Sequence, residues 1–410
     1  MRGRLSEGRR PVALHTALMR NVQQDRPFWH TPHRPLFLLA ALTALAVPAV
    51  WLLPYGVGPE PVAWHLHELL FGMGGAAIGG YLLTSLPAWT KHGPIAPSLT
   101  VAMCILWAVS RLSFLRADTL PDILLTAGTQ AYLATLAALV AWHTLTRRIW
   151  SKAYLALALL MLIASDLLYL ARLREDGVAS AGATEAVLGF ALLICLVGGR
   201  AVPAFTRSWL ERQTAPSLMR DSPVLSVLSL GALVCGGLLA FAEAHRAAGL
   251  LLILSGALQI ARLLGWQTWS VRRYPALLLL HLAWIWLPAG LLLLGLAMLH
   301  PEWSAAPAAI HALTMGAMGT MILAIMARSV MARRDDRLAL GRRLALAFAL
   351  VWLSALLRVL TPVIPSGLPD PIRTAAIFWM TGWMLFLCTY VPALRRPVPR
   401  PILSARLTLP

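Results

Sequence analysis

The chain has 410 residues, of which 59% are hydrophobic and 13% charged. Soluble domains carry about 25% charged residues, so the composition excludes an ordinary soluble protein and points to a chain that crosses a membrane many times. The formal charge of +18 invites a nucleic-acid partner, but the layout of the basic residues argues against one.

Crossing the hydrocarbon takes about 20 apolar residues in a helix. Twelve apolar windows meet that need, at 35–54, 62–87, 96–115, 121–145, 152–171, 184–206, 222–242, 247–270, 275–299, 305–327, 340–361 and 372–394. The chain is therefore expected to be an all-α membrane protein, a twelve-helix bundle over 35–394. A basic tail precedes it (1–34) and another follows (395–410). The breaks hold Pro54, Pro59, Pro94, Gly177, Pro216, Pro301 and Pro365, residues that interrupt helices. The basic N-terminus lacks an early apolar stretch, so it reads as a tail and not as a cleaved signal peptide. With the N-terminus in the cytoplasm, the opposite loops hold only Arg116, Arg172, Arg174, Arg246 and Arg373 among 35 Lys and Arg. This is a strong positive-inside bias with both ends cytoplasmic. It accounts for the net charge through anionic lipid headgroups. Cys104, Cys195, Cys235 and Cys388 are scattered singly in apolar runs and read as buried free thiols. No strict internal repeat is evident.

The informative residues are the ionisable ones inside the spans, because a charge at the centre of a bilayer costs about 2.5–3.5 kcal/mol on insertion scales. Trp64-His65-Leu66-His67-Glu68 heads the second span, and His311 stands near the head of the tenth. The topology places both just inside the non-cytoplasmic face, in a layer with Arg111, Asp166 and Arg358. A second layer nearer the cytoplasm would hold Arg200, Arg262 and His281. Neutral imidazole is the commonest metal ligand and a usual axial ligand of haem iron. At about 100° per residue, His65 and His67 point to opposite sides of the helix and cannot both hold one metal. His65 and Glu68 are three apart, so Glu68 is expected to orient His65 as a hydrogen-bond acceptor. Gly72, Gly74, Gly75, Gly79 and Gly80, and likewise Gly316 and Gly319, offer clearance for a flat macrocycle or for a packed neighbouring helix. Met73, Met315, Met318 and Met321 are gap-fillers or soft copper ligands. His143, His245 and His300 lie at span ends, where histidine needs no special account.

At these residues the chain resembles the NnrS family, haem- and copper-containing membrane proteins linked to nitric oxide. The matching blocks are Arg34-Pro35-Leu36-Phe37-Leu38-Leu39, the stretch from Trp64 to Gly72, Gly80-Tyr81-Leu82-Leu83-Thr84 and Pro87-Ala88-Trp89-Thr90. Further blocks run from Gly198 to Arg207 and from His311 to Ala324. The resemblance spans the first to the tenth helix. It leaves out the first 30 residues, and His30 and His33 read as surface residues beside that tail. It implies a bacterial inner membrane, a haem (b type expected), copper, and a part in resisting nitrosative stress without an agreed reaction. The residues it brings forward are His65, His67, Glu68, Arg200, His281 and His311. Arg111 and Arg262 join them as candidate partners of the cofactor. The expectation is that His67 or His65 pairs with His311 across facing helices to hold iron, with copper on the same histidines. Haem-copper oxidases and nitric oxide reductases also draw haem ligands from helices 2 and 10, which is an analogy of fold only.

Two other functions compete. A nitric oxide reductase or oxidase, served by an unidentified electron donor, needs an adjacent histidine pair that this chain lacks. His300-Pro301-Glu302 resembles an oxidase motif only superficially. A secondary transporter would suit the glycine-broken helices, but the polar layer lies nearer one face and no inverted repeat is visible.

Overall fold

The computed structural model describes residues 28–52, 60–90, 93–178, 182–213, 219–303, 305–334, 337–365, 370–398 and 402. The tails at 1–27 and 403–410, and the expected breakers Pro54, Pro59 and Pro216, lie outside them. Among the described residues twelve helices are long and apolar enough to cross a membrane. They are α1 (His33–Trp51), α2 (Pro61–Thr90), α3 (Pro97–Leu115), α4 (Asp122–Thr146), α5 (Trp150–Glu175), α6 (Ala183–Leu210), α7 (Pro223–Phe241), α8 (His245–Gly265), α9 (Pro275–Leu299), α10 (Ala306–Arg328), α11 (Arg342–Val363) and α12 (Pro371–Ala393). Each falls within a few residues of its expected window. The only strands among the described residues are a small hairpin of β1 (Ala332–Arg334) and β2 (Arg337–Ala339), between α10 and α11.

Local chemistry sets the boundaries. Proline stands in the first turn of α2, α3, α7, α9, α10 and α12, where its missing N–H would be unpaired in any case. Side chains cap three of these starts: Glu60 accepts from the Ala63 amide, Ser222 from Leu225, and Asp370 from Ile372 and Arg373. Within the hydrocarbon every backbone amide needs an internal partner, and uninterrupted helices supply one.

The spans pack mostly with their sequence neighbours: α3 on α4, α5 on α6, α7 on α8, α8 on α9 and α11 on α12. α12 also returns to α1, where the Trp379 indole donates to the Ala44 carbonyl at 2.8 Å. α2, α6, α9 and α10 bury 67–78% of their apolar windows, while α3, α4, α5, α7, α8, α11 and α12 bury 22–44%. The first group therefore forms the centre and the second faces lipid. The free thiols divide accordingly. Cys195 is buried, but Cys235 and Cys388 are exposed on peripheral spans, which corrects the expectation that all four are buried.

Candidate functional site

Both histidine-bearing helices change form directly after the histidine. In α2, Glu68–Gly74 winds as a π-helix, and in α10 Ala312–Gly319 does the same. Wide turns of this kind are rare and concentrate at functional sites. The two segments also share a pattern, His-x-Leu-x-x-Gly-x-x-Gly, read from His67 to Gly75 and from His311 to Gly319. This short repeat is invisible to a search by whole helices, and only the matching change of helical form draws attention to it.

Three glycines of these segments, Gly74, Gly316 and Gly319, serve packing. A Cβ on Gly316 would lie 2.5 Å from the Trp286 ring, one on Gly319 2.5 Å from Trp379, and one on Gly74 2.6 Å from Phe190 and 3.4 Å from Met318 Sδ. Aromatic rings of neighbouring helices thus fill the clearance in which a macrocycle had been considered. Phe190 of α6 and Met318 of α10 meet at Gly74 of α2, so three of the four central helices converge there. Met73, Met318 and Met321 are buried core residues.

The expected single polar layer divides in two. The first cluster surrounds His67, which is fully buried. Its Nε2 lies 3.2 Å from Asp166 Oδ1 of α5, and its Nδ1 lies 3.4 Å from Glu68 Oε1 and from Arg111 Nη1 of α3. Phe114 stacks flat on the ring at 3.6 Å between centroids. Arg111 donates to Glu68 at 3.0 Å, and Gln130 of α4 donates to Asp166 Oδ2 at 2.7 Å. Glu68 therefore serves His67 and Arg111, not His65 as the spacing suggested. The cation of the neighbouring helix wins over a neutral ring three residues back, since a charge-assisted hydrogen bond is about twice as strong as a neutral one. Arg111 likewise pairs with Glu68 and leaves Asp166 to His67. His67 Nε2, Asp166 Oδ1, Arg111 Nε and Gln130 Oε1 are buried without an aligned hydrogen-bond partner. Sequence reasoning missed Gln130 and Phe114 altogether, because nothing in their own segments marks them.

The second cluster joins α2, α10 and α11. His65 and His311 lie within electrostatic reach of each other and of Arg358. His311 Nδ1 contacts the Pro307 carbonyl at 2.6 Å. A carbonyl only accepts, so Nδ1 carries the proton and Nε2 keeps its lone pair, the state in which a metal-binding histidine is held. His65 Nδ1 accepts a long 3.4 Å contact from the Trp51 indole. Arg358 has no carboxylate partner among the described residues. His65 and His67 thus point into different clusters, as the helical geometry requires.

The remaining candidates gather nearer the opposite face. Arg262 is buried and donates to the Gly199 carbonyl at 2.8 Å and to Gln259 Oε1 at 3.0 Å, with Asp221 at 3.7 Å. Arg200 lies over the Tyr154 ring at 3.9 Å and donates to the Leu196 carbonyl. His281 Nε2 and Nδ1 lie 2.9 Å from the hydroxyls of Thr206 and Thr268. Thr206 donates to the Val202 carbonyl at 2.8 Å and so accepts from Nε2, while Thr268, whose contact with the Leu263 carbonyl is long at 3.4 Å, donates to Nδ1. Both nitrogens of His281 are engaged. His300 stacks on Trp303 and pairs with Glu302 at 3.0 Å, in the connection that follows α9.

A haem asks the chain for two imidazoles and a cation near its carboxylates, and His65, His311 and Arg358 match that set. Copper usually asks for three ligands, and among the described residues no three His, Cys, Asp or Glu side chains are grouped to hold a metal ion.

Twelve spans with paired histidine-to-π-helix segments at their centre define a polytopic membrane protein built around intramembrane imidazoles. The sequence model of the NnrS protein family matches residues 27–398, and the chain belongs to that family. The match takes in His30 and His33, which had been set outside it. No curated protein matches the chain.

Proposed function

We propose that this protein binds haem in the bacterial inner membrane and serves the response to nitric oxide, with His65 and His311 as the residues that would hold the iron. The observation that carries this reading is the 2.6 Å contact of His311 Nδ1 with the Pro307 carbonyl, which assigns the proton to Nδ1 and leaves Nε2 a lone pair, with His65 within electrostatic reach. Ferrous haem would supply affinity for nitric oxide, a small apolar molecule that partitions into lipid, at the position that one of the two imidazoles would give up. Ligation by His65 Nε2 gives up only its 3.4 Å contact with Trp51, which is too long to hold the ring firmly. Arg358 would neutralise a propionate. His67 is less suited to iron, since Asp166 and Glu68 occupy both ring edges and Phe114 covers a face. It would instead brace α2 behind the site. Copper has weaker support for want of a third ligand, and the same lack weighs against a reductase with a second metal.

The test is the absorption spectrum of protein purified after haem-replete expression. A Soret band is expected in the wild type and in His67→Ala, and it is expected to be lost or shifted in His65→Ala and His311→Ala. A band absent from the wild type ends the haem reading. A band lost with His67→Ala and retained in His65→Ala moves the ligand to His67.

A further inference from the structure

His33 and Arg34 open α1 at the face where α10 and α12 end, and they do not behave as surface residues. His33 is 3% exposed and Arg34 7% exposed. The Tyr390 hydroxyl of α12 reaches the carbonyls of both, at 2.9 and 3.2 Å. Thr84 of α2 accepts from the His33 amide at 3.1 Å. The Arg34 guanidinium donates to the Arg396 carbonyl, just past α12. Beside these groups lies a cavity of about 80 Å³, lined by His33, Arg34, Ser329, Tyr390 and Arg396 with apolar neighbours. It has room for an oxyanion or several waters.

The charges around this cavity do not balance. Arg34 forms no ion pair with any described carboxylate, and no Asp or Glu lines the cavity. A buried cation without a counter-charge is costly, and one carbonyl does not offset the loss of its hydration. Arg396 lines the cavity as a second basic residue, beside His33 and Ser329, whose hydroxyl donates to the Met326 carbonyl at 2.6 Å. The depth is also informative. His33 and Arg34 are the first residues of α1, Arg328 is the last of α10 and Ala393 the last of α12. The cavity therefore sits at the level of the headgroups.

We propose that this cavity is a binding site for a phosphate-type oxyanion, supplied in the membrane by the headgroup of an anionic phospholipid. Arg34 and Arg396 hold the phosphate. A lipid seated there ties α1, α10 and α12 together at the basic face of the bundle.

The test uses the full chain in detergent. Binding of phosphatidylglycerol, phosphatidylcholine and inorganic phosphate is measured by native mass spectrometry and by thermal-shift titration. Phosphatidylglycerol is expected to bind, with Arg34→Gln weakening it about tenfold or more, the size of one charge-assisted hydrogen bond. Should Arg34→Gln fail to fold, Arg396→Gln preserves the carbonyl that Arg34 uses and is expected to weaken binding as well. Preference for phosphatidylglycerol over both other probes identifies the lipid as the source. Binding of inorganic phosphate alone, lost in the same variants, identifies free phosphate and overturns the lipid assignment. Equal binding of every probe by wild type and both variants overturns the site itself.

Discussion

At the scale of residues, the His67 cluster shows how a membrane interior holds charge. Glu68 and Arg111 are almost fully withdrawn from solvent, with side chains 6% and 12% exposed. Removing one member of such a pair leaves the other buried and uncompensated, which typically costs 3–5 kcal/mol. Arg111→Ala is therefore expected to destabilise the protein by about 3 kcal/mol. Glu68→Gln should cost less, because the amide still accepts from the guanidinium. The double variant should be more stable than the sum of the single effects predicts, by roughly 1–3 kcal/mol of coupling. Denaturation of the purified variants in one detergent measures all three. Strict additivity would mean that the 3.0 Å contact carries no energy. His33 teaches a related lesson. Placed next to a basic tail, it reads as a surface residue, yet Thr84 and Tyr390 enclose its surroundings from α2 and α12. Neither partner is visible from the local sequence.

At the scale of elements, the π-helical segments and the residue that follows the first of them include glycines that tolerate a side chain and glycines that do not. Gly316→Ala places a methyl 2.5 Å from the Trp286 ring, whereas the same change at Gly75 meets nothing nearer than 3.7 Å. Overpacking of a filled interior costs about 1–3 kcal/mol, and alanine gains about 0.8–1 kcal/mol over glycine within an ordinary helix. Gly316→Ala should therefore lower the melting temperature and the yield of folded protein, and Gly75→Ala should leave both unchanged or raise them. The reverse order would mean that Trp286 does not pack where α9 places it. The spans themselves were legible because hydropathy needs no partner: the window 62–87 anticipates Pro61–Thr90, and 305–327 anticipates Ala306–Arg328. The opposed directions of His65 and His67 were legible from the turn per residue. The fate of Glu68 was not. It begins a stretch that takes an extra residue per turn, and its partner Arg111 comes from another helix. Wide turns leave no hydropathy signature, and the shared spacing of His67, Gly72 and Gly75 with His311, Gly316 and Gly319 stands out only once the helices are seen.

At the scale of the whole molecule, the bundle turns apolar side chains outward on its peripheral helices. Ile123 is 77% and Leu264 76% exposed, which in water would be a large liability and in lipid is the expected surface. The charges at the two ends of the bundle decide which way it faces. The basic residues gather at the ends of the helices where α1 begins and α12 finishes, and the β1–β2 hairpin adds Arg333, Arg334 and Arg337 to that side. The opposite end carries the His300-Pro301-Glu302 connection, whose Glu302 is 64% exposed in its side chain. The Lys and Arg bias sets orientation during insertion, so the hairpin should lie in the cytoplasm and Glu302 outside. Cysteines introduced singly as Glu302→Cys and Arg334→Cys, on a background freed of the four native thiols, test this with a membrane-impermeant thiol reagent. Intact cells should label Glu302→Cys alone, and permeabilised cells both. Labelling of Arg334→Cys in intact cells would invert the topology. It would place His65 and His311 near the cytoplasmic face and the cavity at Arg34 in the outer leaflet, where anionic lipid would no longer be its natural partner.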